Sequence, residues 1–168
     1  IEVSSRDLNH TYDWDNMLMD YVEGAYNDAE ANAVAQLMAD LGHSFKADYG
    51  WDGTGALPDA VAMYENYGYS PLCHYLMRDN FSLESWNNMM RNEIERGRPV
   101  YYSGYTASGE GHAFVLDGVD ANDYFHVNWG WGGASDGFFK LDALVLNDYV
   151  FDTNEWAFLG LYTMRDGV

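Results

Sequence analysis

At Gly97-Arg98-Pro99 the hydrophobic pattern of the chain changes period, and that change restricts the possible folds more than any other feature. Before it, apolar residues recur at helical spacing. Asp28 to Leu41 carries Ala33, Val34, Leu37, Met38 and Leu41, with Gly42 placed as a stop. Leu57 to Tyr67 reads as a second helix, with Pro58 in its first turn and Gly68 after its end. Ser82 to Arg96 reads as a third: Ser82 caps it, Trp86, Met89, Met90 and Ile94 form its stripe, and Gly97 and Pro99 end it.

After Pro99 the runs are short and β-rich: Val100 to Tyr105, His112 to Val119, Tyr124 to Trp129, Gly137 to Leu141 and Trp156 to Thr163. Ser108-Gly109, Asp120-Ala121-Asn122-Asp123 and Ser135-Asp136-Gly137 supply the turns between them. Helices followed by strands predict an α+β chain rather than a series of βαβ units. The strand spacing predicts a compact antiparallel sheet or a partly closed barrel. We therefore expect one domain portion over residues 1–168. Its mainly helical part ends near residue 98 and its β-rich part begins near residue 99.

Charge removes two classes of partner. A formal net charge of −19 is unsuited to the phosphates of nucleic acid and to anionic membranes. No apolar run reaches the length of a membrane span. A single cysteine rules out an intrachain disulfide framework. The start, Ile1 to Arg6, lacks both an initiator Met and a signal-peptide pattern, which reads as a processed or truncated product.

Two motifs carry chemistry. Gly111-His112-Ala113-Phe114-Val115 sets a histidine at the head of an apolar strand, after the flexible loop Ser108 to Gly111. Asn128-Trp129-Gly130-Trp131-Gly132-Gly133 closes the next strand, so a hairpin would bring Asn128 beside His112. An imidazole directed by a second polar group is what a cysteine or serine peptidase needs to take a proton from its nucleophile. Trp129 and Trp131 would keep water from the pair, which strengthens it. His126, a lone histidine within a strand, is read as structural.

The segments Gly111 to Gly118, Tyr124 to Gly133 and Ser135 to Leu144 strongly resemble the streptopain family of secreted bacterial papain-like cysteine peptidases. Tyr12 to Leu18, Leu37 to Gly42, Asp48 to Gly50 and Pro99 to Gly104 extend the resemblance. It implies a two-lobed papain-like fold and peptide-bond hydrolysis through a thioester acyl-enzyme. His112 would be the general base and then the acid, Asn128 would orient the imidazole, and Trp129 would shield them. Gly53, Thr54 and Gly55 would pair with extended substrate, with Glu110, Gly111 and Trp131 also at the cleft. The substrates implied are proteins or peptides, and no cofactor or metal is called for.

The resemblance also implies a nucleophilic cysteine at the start of a helix upstream of Tyr12, and no such residue stands in these 168 residues. Cys73 is a poor substitute, because it lies in an alternating strand-like run, Ser70 to Leu76, and neighbouring Cys73 and His74 would point to opposite faces. The Cys is therefore expected on a missing or separate N-terminal chain, with a propeptide before activation. The rival reading is a non-catalytic peptide-binding or adhesion module on the same fold. Asp117, Asp120 and Asp123 have only a loose calcium-like spacing, and no His or Cys arrangement suits zinc.

Overall fold

The computed structural model describes residues 6–164. Ile1 to Ser5, most of the start read above for a signal peptide, lie outside the described residues. The chain divides into two compact units, Ile1–Tyr67 and Gly68–Val168.

The first unit opens with a 3-10 turn, Trp14–Asn16, followed by helix α1 (Asp28–Ser44). Asn27 caps α1: its side chain accepts from the backbone N–H groups of Ala29 and Glu30, and the Glu30 carboxylate accepts from Asn27 N–H. That reciprocal box satisfies donors that every helix start leaves free. The helix runs through Gly42, against the expectation of a stop there. A Cβ at Gly42 would stand 1.9 Å from the Tyr49 hydroxyl, so this glycine serves close packing rather than termination. Strands β1 (Asp48–Tyr49) and β2 (Thr54–Gly55) form a small antiparallel ribbon. Helix α2 (Ala60–Tyr67) begins later than predicted, because Asp59 rather than Pro58 marks its start and accepts from Ala62 N–H. Asp40, fully buried on α1, gathers Arg6, His10 and Tyr12 and so ties residues 6–12 to the helix.

The second unit contains β3 (His74–Met77), a 3-10 turn Arg78–Asn80, helix α3 (Leu83–Glu95) and β4 (Val100–Tyr105). These are followed by β5 (Gly111–Val119), β6 (Phe125–Asn128), β7 (Gly137–Phe139), the hairpin β8 (Val145–Leu146) and β9 (Tyr149–Val150), and β10 (Thr153–Leu159). Six strands form one antiparallel sheet in the order β3-β10-β4-β5-β6-β7, open at β3 and β7. The fold is α+β, as the sequence indicates. Ser82 caps α3 through Ser85 N–H, and Trp86 and Met90 of the predicted stripe are fully buried.

Alternation along the strands gives the sheet one apolar face. Val100, Tyr102, Phe114, Leu116, Phe125, Val127, Trp129, Ala157 and Leu159 form a core with Trp86 and Met90 of α3. Thus α3 packs with the sheet, and the change of period at Pro99 falls inside the second unit. The last strand ends at Leu159 rather than Thr163, because Gly160 turns the backbone to φ +78 against the Leu72 carbonyl. No helix among the described residues is long and apolar enough to cross a membrane.

Candidate active site

His112 is the second residue of β5 and pairs in register with Gly104 of β4. Its Nε2 lies 2.9 Å from the Trp129 carbonyl oxygen. A carbonyl can only accept, so this contact requires the proton on Nε2. Neutral His112 then carries its lone pair on Nδ1. That nitrogen has no hydrogen-bond partner among the described residues.

Aromatic rings surround the imidazole. Trp131 is nearest, with ring centroids 4.6 Å apart, followed by Phe151 at 5.8 Å, Trp129 at 6.1 Å and Phe114 at 6.2 Å. Trp129 is fully buried, whereas Trp131 is 45% exposed and forms the solvent side of the cover. Trp129 and Trp131 stack on one another at 6.1 Å. Low-dielectric cover of this kind strengthens the Nε2–H bond and holds the ring plane.

Asn128 does not contact His112 directly, contrary to the sequence-based expectation. The register pairs Asn128 with Val115, three positions from His112 on β5. An odd offset in a strand reverses the face, so Asn128 points to the other side of the sheet and is exposed. Its Oδ1 accepts the Gly130 N–H at 2.9 Å instead. The Trp129 N–H donates to Asp136 Oδ1, also at 2.9 Å. The group that directs the imidazole is therefore a backbone carbonyl.

The other predicted site residues divide between the units. Gly111 precedes His112, and a Cβ there would meet the Tyr105 ring at 2.6 Å. Glu110 is engaged within its own hairpin: its carboxylate accepts from Ser108 Oγ, and its N–H donates to Thr106 Oγ1. Gly53, Thr54 and Gly55 belong to the first unit, where Thr54 and Gly55 form the exposed strand β2 and Gly53 has φ +151. Cys73 donates its S–H to the Gly160 carbonyl and is buried; burial and the nearby Glu93 push its thiol pKa up. The neighbouring His74 turns its Nδ1 to the Leu72 carbonyl, so the two side chains form no dyad. His126 pairs with Asp117, Asp123 with Arg91, and Asp120 accepts backbone N–H groups of its own turn.

The imidazole is thus held through Nε2 beneath a tryptophan, and its Nδ1 is able to accept a proton. A family model described as the peptidase C10 family matches residues 2–139. The chain belongs to the peptidase C10 family. Among C10 relatives, streptopain of Streptococcus pyogenes is 44% identical over 135 residues, which cover 79% of this chain and 33% of that protein. A thiol protease/hemagglutinin of Porphyromonas gingivalis is 35% identical over 139 residues, covering 82% of this chain and 16% of that protein. The active wild-type interpain A cysteine protease of Prevotella intermedia superposes with a TM-score of 0.84 at 37% identity, over 92% of this chain and 65% of that one. The prointerpain A fragment gives a TM-score of 0.77 at 38% identity. The chain thus has the papain-like fold of these proteases and spans about a third of the length of the streptopain it matches.

Proposed function

We infer that this chain is the His-bearing part of a secreted bacterial cysteine endopeptidase that hydrolyses peptide bonds through a thioester acyl-enzyme. The observation that carries the reading is the Nε2–H bond from His112 to the Trp129 carbonyl, which leaves Nδ1 as a proton acceptor. His112 Nδ1 takes the proton of a cysteine thiol as sulfur attacks the scissile carbonyl. The same nitrogen then returns a proton to the leaving amine, and water hydrolyses the thioester with His112 again as base. Trp129 and Trp131 hold and cover the ring. Gly53 to Gly55 contribute backbone to extended protein or peptide substrates, and Glu110 and Gly111 stand at the His112 edge.

The thiol comes from outside these residues, since their only cysteine is buried Cys73 with a raised pKa. The thiolate is the nucleophile, and an apolar seal disfavours it. An N-terminal segment carrying the catalytic Cys, continuous with this chain or separate from it, is the partner required. A propeptide would cover the site before activation, a reading supported by the proform of interpain A among the similar structures.

The test is His112→Ala in the full enzyme containing its nucleophile, assayed on a casein or quenched peptide substrate. Turnover should fall at least about 10³-fold. Retained turnover would remove the reading, and tight peptide binding without cleavage by the unmutated protein would favour a binding module.

A further inference from the structure

The bond that directs His112 ends on a main-chain oxygen, so its geometry depends on whatever holds that stretch of backbone. The stretch is poorly constrained by its own sequence. Gly130, Gly132 and Gly133 have φ of +79, +63 and +85, and Ser135 has φ +68. Residues 130–135 are exposed. Glycines in the left-handed region lose much conformational freedom when fixed, so external ties are needed to hold one arrangement.

Two side chains supply those ties, one on each side of the carbonyl. Asp136 Oδ1 accepts the Trp129 N–H at 2.9 Å, and Asn128 Oδ1 accepts the Gly130 N–H at 2.9 Å. The Trp129 carbonyl and the Gly130 N–H are the two ends of a single planar peptide unit. Fixing the N–H at one end aims the oxygen at the other, and accepting that N–H also polarises the carbonyl toward His112. The bond to Asp136 is charge-assisted, and it stops the preceding residue from rotating.

We propose that Asp136 is a positioning residue for the peptidase reaction, acting with Asn128 through the Trp129–Gly130 peptide to hold His112 in its Nε2–H tautomer. The catalytic importance of Asp136 rests on the peptidase reading above; its effect on the tautomer does not. In the neutral imidazole the proton stays on Nε2, and Nδ1 remains the site that exchanges a proton with the thiol. Without the two ties the carbonyl swings, the Nε2–H loses its acceptor, and the Nδ1–H form gains population. That form cannot accept a proton from the thiol at Nδ1.

Three variants test this: Asp136→Ala, Asn128→Ala and Asp136→Asn, the last of which keeps an oxygen acceptor. NMR of labelled imidazole nitrogens in this chain reads the His112 tautomer, and kcat and KM are measured in the full enzyme. The two alanine variants should shift the tautomer toward Nδ1–H and lower kcat about 10- to 100-fold with KM little changed. Asp136→Asn should recover most of both. Unchanged tautomer ratios in both alanine variants would overturn the proposal, as would Asp136→Asn as impaired as Asp136→Ala. Should Asp136→Ala not fold, Asn128→Ala decides alone, since Asn128 is exposed and its loss leaves the core intact. An active His112→Ala enzyme would remove the peptidase reading and leave the tautomer result standing.

Discussion

The two ends of the six-stranded sheet hold chemically opposite sites. At one end His112 is half-buried, tied by Nε2, with Nδ1 unpartnered among the described residues under an exposed tryptophan. At the other, Cys73 is sealed against Gly160, its proton bonded and its pKa raised. Strand β10 spans the distance, from Thr153 across from Tyr105 to Leu159 across from His74. That is about 20 Å at ~3.3 Å per residue. Both residues belong to types that do peptidase chemistry, yet their surroundings divide them: one keeps an open lone pair, the other is held neutral and covered. Residue type proposes a role, and environment decides it.

Paired substitutions give the widest separation. In the full enzyme, His112→Ala should lower kcat/KM at least about 10³-fold, whereas Cys73→Ala should leave it within about twofold. A comparable loss from Cys73→Ala would break the contrast and return Cys73 to the reaction.

Glu155, buried on β10, extends the sealed class to a carboxyl group. Its Oε1 accepts from the Tyr102 hydroxyl at 2.7 Å, and that hydroxyl accepts from the Trp86 indole N–H. Burial pushes the Glu155 pKa up to about 7, although the Tyr102 bond and Arg78 oppose the shift. The folded state therefore holds a proton that the unfolded chain releases near its ordinary value of 4.5. The contribution of Glu155 to stability is therefore fully present below that value, falls as pH rises toward about 7, and is flat beyond. The expected loss is about 2–3 kcal/mol, read from urea unfolding across pH. Glu155→Gln should flatten this part of the profile; a profile as steep as the parent's would assign the titration to another group.

How much of this was legible depended on how local each determinant is. Ser82, the α3 stripe and the β4-β5-β6-β7 meander follow from neighbouring residues and turns, and the sequence places them well. The insertion of β10 between β3 and β4 rests on pairing between distant segments, which no local pattern encodes. Gly42 and Gly160 show how one residue type carries different meanings: the first admits Tyr49, the second turns a strand end. At the site, the motifs identify His112 and the tryptophans. The face of Asn128 was not readable, because the β5–β6 register shifts between Leu116 and Gly118. The Trp129 carbonyl was invisible for a simpler reason: every residue has one. Asp136 read only as a turn residue, and an acid closing a glycine-rich turn beside a strand end was the one available sign.

At the sealed end, Gly160→Ala should cost about 1–2 kcal/mol, because the new Cβ must adopt a left-handed conformation. It would also approach the Leu72 carbonyl to 2.9 Å. The urea midpoint should drop, and Cys73 should become more readily alkylated as its cover loosens. A stable variant with a still-protected thiol would show that the strand end tolerates the strain and that the seal lies elsewhere.

The smallest effect is expected from Cys73→Ala in this chain, about 1 kcal/mol of stability or less. The thiol packs as a small apolar group and donates one weak bond to Gly160, so its removal leaves a small void and a carbonyl short of one partner. Alkylation of the unmutated chain makes the same point kinetically. The reagent needs a thiolate, and the fold withholds both the charge and the access. Modification should therefore follow the population of opened chain, speeding in step with urea well before the main transition ends. Rapid, stoichiometric labelling of the native chain would mean that Cys73 is reached without opening, and the two ends of the sheet would then differ less than their geometry indicates.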